Sequence, residues 1–355
     1  MERLDEKVWK PVCISDIFEI KSGVRLEARN RTEGDRPFIG ALDNSNGVVQ
    51  FVSNENASLD SNVLGVNYNG NGMGIGFYHP YKCIFSDDVK RFHLKAVEDS
   101  ENLALFMKTL IQEQRGKFGY LYKFNAKRMA ATSILLPVTD SGEHDYEYMS
   151  EYMSQKREVL LEKYCTFVKS RIAELGEVVN IPELNEKEWR GFLIGNILTS
   201  TNSKPYHSST LNFDRDSKLS YVTRTANNNG IYGFVTPDDT FVINPANTIS
   251  FGAETAEFFY QSAPYITGNK MYYLKNVYLN EFIGLFLITA IRKGVKSCFS
   301  YANGAIPERV LKKRVMLPAK DTGEPDYDYM EQYSKNMILR KYQQYLSFLE
   351  RREIP

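Results

Sequence analysis

Signatures of catalysis and metal binding are what this sequence lacks. Its four cysteines, Cys13, Cys83, Cys165 and Cys298, are scattered with no Cys-x-x-Cys spacing. They fit free thiols in a reducing cytoplasm better than a disulfide frame or a zinc site, so the chain is expected to be cytoplasmic. Four histidines, His79, His93, His144 and His207, include no pair at metal spacing. His79 and His93 read as structural, whereas His207 lies in a polar loop where it could touch a ligand. No run of eighteen apolar residues exists to span a membrane, and the charged opening MERLDEKVWK has no apolar core of a secretory signal. There is no P-loop and no Asn-Pro-Pro-Tyr-like methyltransferase motif. The glycine-rich stretch Asn67–His79 does not satisfy G-x-G-x-x-G: its glycines alternate and a strand follows. It reads as a loop that needs close backbone approach to a ligand. The acids at 325–329 stand at a helix start, where they cap rather than form a nuclease carboxylate cluster. No catalytic residue, metal or cofactor is assigned to this chain.

What is abundant is self-similarity. Leu136–Met149 reads LPVTDSGEHDYEYM, and 181 positions later Leu317–Met330 reads LPAKDTGEPDYDYM. Nine of the fourteen positions are identical, so the chain carries an internal duplication, which fixes architecture before any other feature. Pro137 and Pro318 end what precedes, and Ser141-Gly142 and Thr322-Gly323 are turn chemistry. The acids that follow crowd a helix N-terminus, where the dipole favours them, and Pro325 is tolerated there. Apolar residues then recur every three or four positions. In the first copy they are Tyr146, Met149, Met153, Leu160, Tyr164, Phe167 and Ile172; in the second, Tyr327, Met330, Met337, Leu339, Tyr342, Leu346 and Leu349. No Gly or Pro interrupts the first copy before Gly176, which predicts a helix about 45 Å long. The two helices are expected to bury their stripes against each other; alternatively each caps its own domain.

The duplication extends upstream. Trp9-Lys10 and Trp189-Arg190 each open a module, and Asn46-Gly47 and Asn229-Gly230 each punctuate a hairpin. Strands are expected at Val63–Asn67, Gly76–His79 and Lys90–Leu94, and at Thr248–Phe251, Phe258–Gln261 and Lys270–Leu274. Helices follow at Asn102–Arg115 and Asn280–Lys293. A polar, aromatic segment then aligns Tyr120 with Tyr301 and Arg128 with Arg309. The expected fold is α+β: two mostly-β modules, residues 1–137 and 181–318, alternate with two long helices, 138–180 and 319–355. The helices would pair antiparallel in a pseudo-two-fold repeat, with Asn180–Glu188 as linker.

Net charge is zero, with 44 Lys/Arg against 44 Asp/Glu, but it is unevenly spread. Residues 9–137 hold 16 basic against 14 acidic residues and residues 189–318 hold 14 against 8, whereas residues 140–188 hold 6 against 12. Such a partition suits polyanion binding by the modules and protein contacts by the helices. Lys21, Ser22, Arg25, Arg29 and Arg31 form a turn-rich loop of the kind phosphate contacts require, or an ordinary solvated loop. Tyr68, Asn69 and Asn71 offer amides able to read adenine edges. In the second module the counterparts are Lys204, Tyr206, His207, Arg224 and Lys270, with Asn227 and Asn228, which are equally turn chemistry. Lys123, Arg128 and Arg309 add charge just before each repeat helix.

With this organisation the chain resembles a DNA-specificity (S) subunit of a restriction–modification system over nearly its whole length. The motif LPxxDxGExDYxYM resembles compact type IIB S subunits more than type I subunits, and Gly74–Asp88 (GIGFYHPYKCIFSDD) resembles the middle of a recognition domain. The resemblance implies two target-recognition domains that read two different half-sites of double-stranded DNA, and paired helices that set the spacer. It also implies partner methyltransferase and endonuclease subunits that carry S-adenosylmethionine and Mg²⁺. A type I S subunit with separate modification and restriction subunits is the nearer alternative, and a stand-alone DNA-modifying enzyme and a non-DNA interaction protein are the others.

Overall fold

The duplication in the sequence is a duplication of topology. In the computed structural model, which describes residues 2–70, 72–119, 122–300 and 303–352, the chain divides into two units, Met1–Tyr164 and Cys165–Pro355. The aligned Tyr120 and Tyr301 lie outside the described residues.

In the first unit β1 (Trp9–Cys13) leads into one helical turn, α1 (Ile14–Ile17), and β2 (Phe18–Ser22). Then come β3 (Glu33–Ile39), β4 (Val48–Val52), β5 (Val63–Asn67), β6 (Gly76–His79), β7 (Ile84–Phe85) and β8 (Val89–Leu94). Helices α2 (Glu101–Glu113) and α3 (Ala126–Ala131), strand β9 (Ser133–Pro137) and the long α4 (Tyr146–Leu175) follow. The strands make a four-stranded sheet in the order β2-β8-β5-β6, a three-stranded sheet β4-β3-β7, and the pair β1-β9. The β3–β4 hairpin turns through Asn46 and Gly47, at φ 52° and 73°, a conformation that Asn and Gly tolerate. Helix α2 begins where the Ser100 hydroxyl accepts from the Leu103 N–H. It buries Leu103, Phe106, Met107 and Ile111, which join Leu64, Val66 and Phe92 of the sheet in one core.

The second unit repeats this order with other side chains. It comprises β10 (Trp189–Leu193), α5 (Ile194–Ile197), β11 (Thr199–Asn202), β12 (Leu219–Val222), β13 (Ile231–Val235), β14 (Thr248–Gly252) and β15 (Phe258–Gln261). Next are β16 (Tyr265–Thr267), β17 (Met271–Lys275), α6 (Glu281–Val295), α7 (Pro307–Leu311), β18 (Arg314–Pro318) and α8 (Tyr327–Arg352). Its sheets are β11-β17-β14-β15, β13-β12-β16 and β10-β18, the same three arrangements. The registers correspond as well: Leu64 lies opposite Phe92, and Ile249 opposite Leu274.

The residues shared by the two copies are scaffold. Gly142 and Gly323 take φ of 85° and 86° in the turn before each long helix. The carboxylates of Asp145 and Asp326 cap those helices, accepting from the Tyr148 and Tyr329 N–H at 3.0 and 3.1 Å. Lys7 and Lys187 reach the same carboxylates at 2.9 and 2.8 Å and lie over the Tyr148 and Tyr329 rings. The Trp9 and Trp189 indoles donate to the Leu4 and Leu184 carbonyls and stack on Phe106 and Phe286. Met149 and Met330 are fully buried in their own units.

Two expectations need correction. The stretch read as a linker folds as the second unit's own N-terminal turn, with Leu184 packed on the core and bonded to Trp189. The apolar stripes are only partly buried. Leu160, Tyr164 and Phe167 remain exposed, whereas the first turn of each long helix packs on the adjoining module through Met149 and Met330. Within the second unit the end of α4 runs antiparallel to α8. Phe167 meets Tyr342 edge-on, while Val179, past the helix end, exchanges two hydrogen bonds with the side chain of Asn336. Helix α4 has 30 residues, about 45 Å. Among the described residues no helix is long and apolar enough to cross a membrane.

Candidate nucleic-acid interface

In each unit three segments meet at one end of the four-stranded sheet. The Gly23 N–H donates to the Val89 carbonyl at 3.1 Å and the Tyr68 N–H to the Asp88 carbonyl at 3.0 Å. The exit of β2, the β5–β6 turn and the approach to β8 are thereby tied together. In the second unit Ser203 donates to Met271 at 3.2 Å and Ala253 to Lys270 at 3.1 Å, so the same three segments adjoin. These bonds define equivalent positions: Tyr68 with Ala253, Asn69 with Glu254, and Asp88 with Lys270.

On the first unit Lys90 bridges this surface, its ammonium 3.0 Å from the Ser22 hydroxyl and 4.6 Å from the Tyr68 ring centre. Asn69 donates its amide to Asp88 at 3.0 Å. Burial, with the nearby Asp88 and Asp87 carboxylates, raises the Tyr68 hydroxyl pKa, so the phenol stays protonated as a donor. Lys21 pairs with Glu19, Arg25 lies 3.8 Å from Asp87, and Arg29 pairs with Glu27; all three cations are exposed. Arg31 turns inward instead: its guanidinium donates to the Leu26 carbonyl and lies over the Phe38 ring. Asn71 lies outside the described residues. The glycine loop does require close approach, but to protein: a Cβ on Gly74 would stand 2.7 Å from the Arg115 stem.

On the second unit Glu254 binds both Lys270, at 3.1 Å, and Arg224. Glu254, Lys270 and Arg309 line one recess of about 330 Å³, and Tyr206, His207 and Arg224 line another of about 260 Å³. Lys204 lies over the Tyr206 ring, and the Tyr206 hydroxyl accepts from the Val242 N–H. Asn227 and Asn228 belong to the hairpin turn, where the Asn228 amide donates to the Ile231 carbonyl. Arg128 and Arg309 make the same local bond, each donating to the carbonyl five residues earlier, at Lys123 and Gly304. Arg128 also stacks on the exposed Tyr122. The structure thus brings Lys204, Tyr206, His207, Arg224, Lys270 and Arg309, each singled out separately in the sequence, to one surface. Sequence reasoning missed Asp88 and Glu254, since it sought cations and amides, and Lys90, which lies on a strand and not in a loop. Aligning the two copies would have flagged them as charge changes within a shared frame.

His79 and His93 are structural. His79 is packed against Phe85 and Tyr81, and burial pushes its pKa down to about 4. His93 lies between Asp99, at 2.7 Å, and Asp60, at 3.1 Å. Among the described residues no group of three or more His, Cys, Asp or Glu could hold a metal ion.

Two copies of one frame, each with its own polar surface, match a known pattern: residues 6–162 and 186–346 fit the Type I restriction modification DNA specificity domain. The chain belongs to that family. A stretch of 153 residues is 49% identical to the specificity subunit S.BcgI of a Type II restriction enzyme from Heyndrickxia coagulans, over 43% of this chain and 45% of that protein. The match therefore spans less than half of that relative. Among solved structures, the S subunit of a Type-I restriction-modification system from M. genitalium is 14% identical, with a TM-score of 0.46 over 99% of this chain and 95% of that one. The HsdS subunit from Thermoanaerobacter tengcongensis is 13% identical, with a TM-score of 0.31 over 97% and 91%. Each matched stretch holds one set of three sheets with its helix α2 or α6 and runs on into the long helix that follows.

Proposed function

We propose that the chain is the sequence-reading subunit of a restriction–modification complex, and that each specificity domain reads one half of an asymmetric, bipartite double-stranded DNA target. The observation that carries this is the pairing of identical scaffolds with divergent polar surfaces. Trp9/Trp189, Asp145/Asp326 and Met149/Met330 keep one frame, while Tyr68-Asn69 and Ala253-Glu254 stand at one place in it. Exposed Arg25, Arg29 and Lys21 would hold phosphates of the first half-site, and Lys204 and Arg309 those of the second. The long helices would set the spacer: at about 3.4 Å per base pair, one DNA turn takes about 35 Å of protein.

Partner subunits would supply methyl transfer and cleavage, with S-adenosylmethionine and Mg²⁺ bound to them rather than to this chain, in the cytoplasm. The relative from a Type II restriction enzyme supports a type IIB arrangement, in which both activities reside on one partner polypeptide. A type I arrangement, with separate modification and restriction subunits, is the second reading, favoured by the family description. Mapping methylated sites in DNA from cells that carry this chain with its neighbouring genes tests the proposal. A split, asymmetric site is expected, and methylation at a continuous palindrome, or none, would refute it.

A further inference from the structure

We infer that Asn69 with Asp88 in the first domain, and Glu254 with Arg224 and Lys270 in the second, are the groups that tell base pairs apart, the first reading an A·T pair and the second a G·C pair. The inference rests on the reading that each domain binds one half of a duplex target. The duplication supplies an internal comparison. The backbone bond from residue 68 to residue 88 recurs from 253 to 270, so the two side-chain pairs stand at one topological position.

Their chemistry is reversed. In the first domain the β5–β6 turn carries the donor, Asn69, and the acceptor, Asp88, precedes β8. In the second the β14–β15 turn carries the acceptor, Glu254, and the donor, Lys270, precedes β17. Arg224 has no counterpart of its kind, since its place in the first domain is held by Ala41. The Arg224 stem lies so close over Gly252 that a Cβ there would stand 2.7 Å from it. At the matching position the first domain has Asn67, whose amide donates to the Leu42 carbonyl. The Arg224–Glu254 pair stands between the two recesses, one lined by Glu254 and the other by Arg224, with both side chains about one-third exposed. Such a pair is held in place yet open to solvent.

Groups of this kind match base edges in the major groove. A guanidinium donates in a fork to guanine O6 and N7, a carboxylate accepts from cytosine N4, and an Asn amide pairs with adenine N6 and N7. The Lys270 hydrogen bond, with the Arg224 charge, holds the Glu254 carboxyl below its usual range, so it acts only as an acceptor. Asp88, by accepting from one N–H of the Asn69 amide, fixes which way that amide points.

The test selects the purified full-length chain against a duplex library with two randomised half-sites. If the unaltered chain enriches no bipartite sequence, the functional reading fails and this inference falls with it. With a bipartite site in hand, Glu254→Gln is expected to relax one G·C position of one half-site by about tenfold to a hundredfold, leaving the other half-site unchanged. Arg224→Lys, which keeps the charge but loses the fork, should relax the same position. Asn69→Ala should relax one A·T position in the opposite half-site, and the exchange Glu254→Asn with Lys270→Asp should move the second domain's preference toward A·T. Unchanged specificity in these variants overturns the inference. So does a uniform loss across all sequences, or a change in the wrong half-site, in variants whose melting temperature matches the unaltered chain.

Discussion

Replacing Asp326 by alanine should unfold the second unit at a markedly lower temperature. Its carboxylate caps α8 through the Tyr329 N–H, and removing such a cap costs about 1 kcal/mol. The same carboxylate neutralises Lys187 at 2.8 Å, with the two side chains 13% and 19% exposed. Exposed pairs contribute about 0–1 kcal/mol, and breaking fully buried ones costs about 3–5 kcal/mol. A pair this sheltered but still wetted falls between, at about 1–2 kcal/mol. The total of about 2–3 kcal/mol corresponds to a fall of about 4–12 °C in a unit of this size. Asp326→Asn keeps a capping oxygen and loses only the charge, so it should show about half the effect. The chain's two tryptophans, Trp9 and Trp189, stand one in each unit, so a Trp9→Phe background lets Trp189 fluorescence report the second unit alone. Burial alone would raise the Asp326 pKa, but the Lys187 hydrogen bond, the Tyr329 N–H and the Lys187 charge outweigh it and hold the carboxyl below its usual range. Its stabilisation is therefore complete above the unfolded value of about 3.9 and is lost as pH falls through the lower folded value, so the gap from Asp326→Asn should close only in acid. If Asp326→Ala melts within about 1 °C of the unaltered chain at neutral pH, the assignment of this residue as cap and ion-pair partner is wrong.

Met149→Ala and Met330→Ala, each removing a fully buried side chain, should cost about 2–5 kcal/mol and melt the first and second unit respectively; urea unfolding of single-tryptophan variants measures both. Removing four residues, one helical turn, within Glu158–Lys169 should change the tolerated spacer and leave both half-sites as they were; an altered half-site with the old spacer would sink the idea that α4 measures distance. Arg25→Ala should weaken binding evenly across sequences and reduce the salt dependence of affinity by about one counterion, whereas a change of preferred base would place Arg25 in readout. His93 is drawn down by burial but raised further by Asp60 and Asp99, so its folded pKa is above the ordinary value. The stability it contributes is present below the unfolded pKa of about 6.5 and lost as pH rises through the folded value; NMR titration of His93 should show the raised pKa, and His93→Gln should flatten that alkaline loss.

The sequence alone determined the frame. Periodicity and proline and glycine placement are local signals, and they located β5, β6 and β15 to the residue and α2 and α6 to within two; the bounds 138–180 and 319–355 contain α4 and α8 but begin eight residues before each. Local signals suffice there because a strand, a helix start or an Asn-Gly turn is set by the residues within it. They also located the caps, since Asp145 and Asp326 act on N–H groups three positions away. Tertiary structure alone decided which polar residues form a surface. Lys90 reaches Ser22 across 68 positions, and Glu254 gathers Arg224 and Lys270 from two other segments. It also decided that Arg31 turns inward onto Phe38, although its charge and loop setting matched those of exposed Arg25 and Arg29. The stripe of the long helices divides between module and partner helix for the same reason. A side chain's period says which face it occupies, and only the packed neighbours decide whether anything covers that face.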